Sequence, residues 1–333
     1  MQNSVTKRAV TMRGRPSTEG SPTSTNGFQN SLALATATAM LRGPAMLSST
    51  TPGRGSATIA RLRTAALALT FALPPCHGGQ VAAAPGGARP KLTDGALFIP
   101  AGFKPDADGG FELTLHLHGA PTVVERNFVA AKRPGVLANV TLPGLSAAYT
   151  ERFKDTNAFW RIVRDTEAAV KPASKNVPVR VNRVTVTSFS AGFGGVREML
   201  KDPSIFARLD ALVMADSIYA GFTGDAAERK VNPANMEGFL KLAREAANGR
   251  KQFILSHTML HTPTYASTVE TADYLLAGLG GKREARAEEW PGGLKLQSSF
   301  KRERLEILGF AGDTGDHHMQ HLRQLAVFLE RLK

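Results

Sequence analysis

The chain has 333 residues, 42% of them hydrophobic, which suits one large globular domain or two small ones. A net charge of +13 is large enough to suggest nucleic acid, but ten of the 41 Lys/Arg and one of the 28 Asp/Glu precede residue 94. That leaves 31 basic against 27 acidic residues, a net of +4, for the rest. This near-neutral remainder gives no nucleic-acid footprint, and the single Cys76 excludes an intramolecular disulfide without fixing the compartment.

Residues 1–90 are rich in Ser, Thr, Ala, Gly and Arg and lack sustained apolar periodicity, so they are expected to form a disordered basic extension that packs no core. Within it, Arg61-Leu62-Arg63 precedes the apolar run AALALTFAL, and Val81-Ala82-Ala83 offers small residues for cleavage after Ala83. The segment 61–83 therefore reads as a secretory signal, too short to span a bilayer. It lies far from Met1, and a start at Met46 would give more usual proportions. Leu73-Pro74-Pro75-Cys76 makes a poor lipobox, because small residues should precede the cysteine. Export to a periplasm or the extracellular medium is expected if 61–83 is a signal, and a cytoplasmic protein with an Ala-rich tail if it is not.

From residue 95 strands and helices alternate. Segments 95–101 and 111–119 read as strands joined by the polar turn Pro105-Asp106-Ala107-Asp108-Gly109-Gly110. A helix over 122–132 leads to a strand at 139–142, and Phe159, Trp160, Ile162 and Val163 form a helical stripe. Then come strand 209–215 ending at Asp216, amphipathic helix 235–247 closed by Gly249, and strand 252–256. Ser267-Thr268-Val269-Glu270 is a capping box for a helix that stops at Gly278. Strand 305–311 and a helix over 319–333, with Leu322, Leu325, Phe328, Leu329 and Leu332 on one face, complete the chain. This alternation predicts a single α/β domain over 95–333, with a mostly parallel central sheet covered by helices on both faces and no connection long enough for a large cap.

Between these elements lies VTVTSFSAGFGGVREML, residues 184–200. The β-branched run Val184-Thr185-Val186-Thr187 breaks at Ser188-Phe189-Ser190-Ala191-Gly192 and resumes as helix, so Ser190 sits at the apex of a cramped turn flanked by small residues. The pattern is a nucleophile elbow with Ser188 in place of the first glycine, and here the chain resembles the α/β-hydrolase superfamily. His118-Gly119-Ala120-Pro121 resembles that family's H-G-x-P loop. The resemblance implies Ser190 as nucleophile, the N–H groups of Ala120 and Ala191 as oxyanion hole, and an acid and a histidine following in that order.

Asp216 is the preferred acid because it ends an apolar strand beside the serine turn; Glu270 and Asp273 are runners-up within a predicted helix. The histidine is expected in the glycine-bearing stretch 312–321, with His318 favoured at the helix entrance and His317 and His321 as alternatives. His118, Gly119 and Tyr265 are expected to line the substrate site, and His257 and His261 to be pocket or surface residues. His116 reads as a core histidine with a backbone partner. A competing reading is a metal-dependent hydrolase in which His116 and His118, placed on one strand face, join His317, His318 and His321 with Asp313 or Asp316. A non-catalytic ligand-binding relative is the other alternative.

The resemblance implies a serine hydrolase acting on a carboxylic ester through a Ser-His-Asp triad and an acyl-enzyme intermediate, with no cofactor and no metal. Its expected partner is a small or polymer-attached ester, with no nucleic acid and no stable membrane span.

Overall fold

A computed structural model describes residues 83–174 and 177–333. The apolar run 65–73, Cys76 and nearly all of the basic extension lie outside the described residues.

The period-two patterns build one eleven-stranded sheet from β1 (Gly87–Ala88), β2 (Lys91–Leu92), β3 (Gly95–Pro100), β4 (Gly110–Leu117), β5 (Val136–Val140), β6 (Arg180–Phe189), β7 (Ala211–Ala215), β8 (Gln252–His257), β9 (Glu284–Trp290), β10 (Leu294–Arg302) and β11 (Leu305–Phe310). The order is β1-β3-β5-β4-β6-β7-β8-β11-β10-β9, with β2 pairing β3. The six strands from β5 through β11 in that order run parallel, and the strands flanking them on both sides are antiparallel.

Successive side chains of each central strand enter different cores. On one face Leu113, Leu115 and Leu117 of β4, Val184 and Val186 of β6, and Leu212 and Met214 of β7 pack with α2 (Ser146–Lys154), α3 (Asn157–Val170), α4 (Phe193–Met199), α5 (Pro203–Arg208), α6 (Pro233–Ala247) and α7 (Thr268–Gly278). On the other, Phe189, Val213 and Phe310 pack with α1 (Pro121–Ala130), α8 (Gly315–Arg323) and α9 (Leu325–Leu329). Each central strand is thus buried on both sides, as parallel sheets require.

Several features depart from the sequence expectation. The helix α2 was not foreseen, since SAAYTERFK buries only Tyr149 and Phe153 and shows little periodicity. The hairpin β9–β10 was not foreseen because EARAEEW is exposed almost throughout and carries no apolar alternation. The last helix begins at Gly315, earlier than expected, and breaks at Gln324 (φ −110°, ψ 26°) into α8 and α9. The capping box at Ser267 forms as read. The fold also reaches back into the basic stretch: β1 pairs β3, and Arg89 meets the buried carboxylate of Glu125 at 2.7 Å. Among the described residues no helix is long and apolar enough to cross a membrane.

The chain runs from β4 outward to β5 on one side, then crosses back to β6 on the other. A reversal of this kind leaves a crevice outside the carboxyl ends of the two strands, where open α/β sheets bind ligands. Ser190 follows β6 there, and His118 to Ala120 follow β4.

Candidate active site

The elbow forms because Ser190 takes up a left-handed conformation, φ 46°, that a non-glycine residue adopts only when its surroundings impose it. A short 3₁₀ turn, Ser190–Gly192, links β6 to α4. Gly192 is obligatory: a Cβ there would lie 2.6 Å from Ser188 Oγ and nearer still to the carbonyl oxygen of Leu117. Ser188 can replace the usual glycine because its buried hydroxyl has a partner. Ser217 Oγ donates to the carbonyl oxygen of Ser190 at 2.9 Å, so Ser188 Oγ, 2.7 Å from Ser217 Oγ, is left to donate to it.

Asp216 also carries a positive φ, 46°, immediately after β7, and its side chain is fully buried. Burial alone would raise its pKa. Hydrogen bonds from His318 and Thr268, together with the nearby His321 and His318 imidazoles, outweigh that penalty and hold the carboxyl below the usual range. Four donors converge on it: Thr258 N–H (2.9 Å), Thr258 Oγ1 (3.0 Å), Thr268 Oγ1 and His318 Nδ1 (2.6 Å). An ionised carboxylate only accepts, so Nδ1 of His318 carries a proton and the lone pair of the neutral ring sits on Nε2. The His318 ring stacks on Phe189, the residue before Ser190, at 4.5 Å between centroids.

The other tail histidines are otherwise employed. His317 lies at the start of α8, where its Nδ1 is 2.8 Å from Thr314 Oγ1 in a reciprocal cap. His321 is fully buried with Nδ1 2.8 Å from Ser256 Oγ, and burial lowers its pKa to about 4. The two runner-up acids serve elsewhere: Glu270 pairs with Arg229 and caps α7, and Asp273 pairs with Arg283. His257, read as a pocket or surface residue, is buried instead. Its Nδ1 donates to the carbonyl of Thr258 and its Nε2 lies 3.2 Å from Arg283 Nη2.

The shared strand face expected for His116 and His118 does not form, because β4 ends at Leu117 and His118 turns away with φ 68°. His116 is the core histidine anticipated, with Nε2 3.0 Å from the carbonyl of His118 and Nδ1 2.7 Å from Thr187 Oγ1. Burial lowers its pKa to about 4. Among the described residues no three His, Cys, Asp or Glu side chains converge as a metal site needs, and both ring nitrogens of His116 are already engaged.

Ala120, the residue before α1, is exposed with φ −68°, and its N–H meets no acceptor among the described residues. Gly119 is hemmed in by His116, Val124 and Leu322, and its carbonyl accepts from Thr141 Oγ1 at 2.8 Å, which fixes the loop. Tyr265 is 38% exposed and meets Tyr219 edge-on at 5.6 Å; Tyr219 also packs against Phe193, making an aromatic wall beside the elbow helix. Sequence reasoning passed over Tyr219, Ser217, Thr258 and Thr268, whose residue types carry no signal until the fold brings them to Asp216 and the elbow. A separate cleft of about 570 Å³, bordered by Asp106, Glu112, Arg183 and Asp210, opens at the opposite, amino-terminal ends of β4 and β6. The strained backbone and the buried carboxylate–imidazole pair lie at the carboxyl ends, and we place the candidate chemistry there.

No family model matches the chain, and no curated protein resembles it closely enough to count as a match. Solved structures align with about three quarters of it at low TM-scores. An uncharacterised protein from Capnocytophaga ochracea has a TM-score of 0.40 and 9% identity over 73% of this chain, which spans 64% of that protein. A cold-adapted esterase from an Arctic intertidal metagenomic library scores 0.38 at 15% identity, covering 74% of this chain and 93% of its own. The hyperthermophilic esterase of Pyrobaculum calidifontis scores 0.40 at 10% identity, covering 73% and 84%. At such scores and identities nothing is carried over from these proteins, and the chemistry rests on this chain's own residues.

Proposed function

We propose that the protein is a serine hydrolase that cleaves a carboxylic ester through an acyl-enzyme intermediate. The observation that carries this reading is the 2.6 Å hydrogen bond from His318 Nδ1 to the buried Asp216, made by a ring stacked on the residue next to Ser190. Ser190 Oγ attacks the ester carbonyl while His318 Nε2 takes its proton. Asp216 keeps the imidazole in the tautomer whose Nε2 is basic and stabilises the imidazolium. The N–H groups of Ala120 and Ala191 stabilise the negative charge on the tetrahedral carbonyl oxygen. Collapse of that intermediate expels the alkoxide, which His318 protonates. Water then attacks the acyl-Ser190 ester with His318 again as base, releasing the acid and restoring the hydroxyl. A small or polymer-attached ester fits the absence, among the described residues, of a long capping insertion over the strand ends.

The test is an active-site-directed fluorophosphonate followed by peptide mass spectrometry. The expected result is one adduct, on Ser190, lost in Ser190→Ala. A folded protein that takes up no label at Ser190 would refute the proposal.

A further inference from the structure

The imidazole of His118 is held in one tautomer by a buried phenol. Tyr149 is fully buried, and its hydroxyl oxygen accepts the N–H of Leu142 at 3.0 Å. The same oxygen lies 3.0 Å from His118 Nδ1, so the hydroxyl hydrogen has one acceptor available among the described residues, the Nδ1 lone pair. The opposite arrangement, Nδ1–H donating to the phenol, would strand a buried hydroxyl hydrogen without a partner. The neutral ring therefore carries its hydrogen on Nε2. Burial and the neighbouring His318 both lower the pKa of His118, which keeps the ring neutral.

That Nε2–H has no acceptor among the described residues, and His118 is only partly buried. Its place is also defined. The ring lies roughly parallel to Phe189 at 6.2 Å, and His318 stacks on Phe189 at 4.5 Å. In the sheet, β4 lies on one side of the serine strand β6, and β7, which Asp216 follows, lies on the other. In the serine-esterase reading His318 faces the leaving alkoxide, which leaves the β4 flank, where His118 stands, for the acyl chain. The backbone of His118, a non-glycine residue at φ 68°, is pinned from both ends: its N–H donates to Val140 and its carbonyl accepts from His116 Nε2. Strain of this kind persists where the surroundings fix a group in place.

We infer that His118 is a substrate-positioning residue whose Nε2–H donates to an oxygen substituent on the acyl chain, so that the substrate class is hydroxyacyl esters in preference to plain alkanoyl esters. This rests on the serine-esterase reading above and adds the side of the ester that is recognised and the group that recognises it.

Two measurements test it. Nitrogen-15 NMR of the histidine rings in the wild-type protein is expected to show His118 as the Nε2–H tautomer at neutral pH; an Nδ1–H tautomer overturns the inference. Next, kcat/KM is compared for para-nitrophenyl butanoate and its α- and β-hydroxy analogues. Wild type is expected to prefer one hydroxy ester by roughly three- to tenfold, the worth of one neutral hydrogen bond. In His118→Asn, a residue that tolerates left-handed backbone but has no imidazole Nε2–H, the ratio is expected to fall to about one. Tyr149→Phe, which frees the tautomer, is expected to lower the ratio as well. Absence of a wild-type preference, or a ratio unchanged in folded His118→Asn that still labels at Ser190, overturns the inference and leaves the esterase reading standing. Failure of wild-type Ser190 to label overturns both.

Discussion

Replacing Asp216 by Asn tests the proposed triad through its most constrained member. The carboxylate accepts from Thr258 N–H and Thr268 Oγ1 at Oδ1, and from Thr258 Oγ1 and His318 Nδ1 at Oδ2. An asparagine amide must put its NH₂ at one of these positions. At Oδ1 it would confront a backbone N–H, a donor that cannot turn round. At Oδ2 it meets a threonine hydroxyl that can rotate and an imidazole nitrogen that can accept by changing tautomer. The amide therefore settles with NH₂ toward His318, whose Nδ1 becomes an acceptor and whose Nε2 becomes protonated. The base is then blocked and the imidazolium loses its counter-charge. A loss of roughly 10³- to 10⁴-fold in kcat is expected, the size seen when a triad acid is made neutral, or about 4 to 5.5 kcal/mol of barrier. The volume is unchanged, so the variant should fold. The assay is steady-state hydrolysis of a para-nitrophenyl ester with the rate of fluorophosphonate labelling at Ser190, and circular dichroism to verify folding. A folded Asp216→Asn protein retaining more than about a tenth of the wild-type kcat would show that Asp216 is not the acid.

Ala120→Pro isolates the oxyanion donor, since φ −68° already suits proline and the lost N–H has no acceptor among the described residues. Expected are a kcat lower by roughly 10²- to 10³-fold and a melting temperature within a few degrees of wild type; undiminished turnover would remove Ala120 from the site. Gly192→Ala forces a Cβ onto Ser188 Oγ and the Leu117 carbonyl, and urea titration should show a loss of about 1 to 3 kcal/mol or more, whereas a neutral result would contradict the close strand–helix approach. His116, His257 and His321 are buried with pKa values lowered to about 4 from 6.5, chiefly by desolvation. Between those values the unfolded chain binds protons that the folded one refuses, so their full contribution is present above 6.5 and declines as pH falls toward 4. From about pH 7 to about pH 5 each should cost roughly 2 kcal/mol, and denaturant melts that stay flat across that range would show the three rings are not buried neutral. If the 61–83 segment directs export, amino-terminal sequencing of secreted protein should begin at Ala84; an intact extension on protein confined to the cytoplasm would disprove it.

The turn at Ser190 was legible in the chain because a strand, a forced turn and a helix are local events: β-branched residues, then small residues around Ser190, dictate them within about ten positions. The same holds for the capping box at Ser267 and for the strand ending at Asp216. The position of the His118–Ala120 loop was legible because it follows a strand and contains a glycine. The hairpin β9–β10 was not, since an edge strand exposed on both faces leaves no periodic trace. Nor could the residues distinguish His317, His318 and His321, which stand within five positions of one another on one helix and differ by rotation about its axis. Packing decided among them: one caps the helix, one is sunk against Phe310 and Phe328, and one faces Asp216. Local sequence sets which backbone shapes are affordable. Only the closing of the sheet, which brings β4, β6, β7 and α8 to one crevice, determines which side chains share a proton.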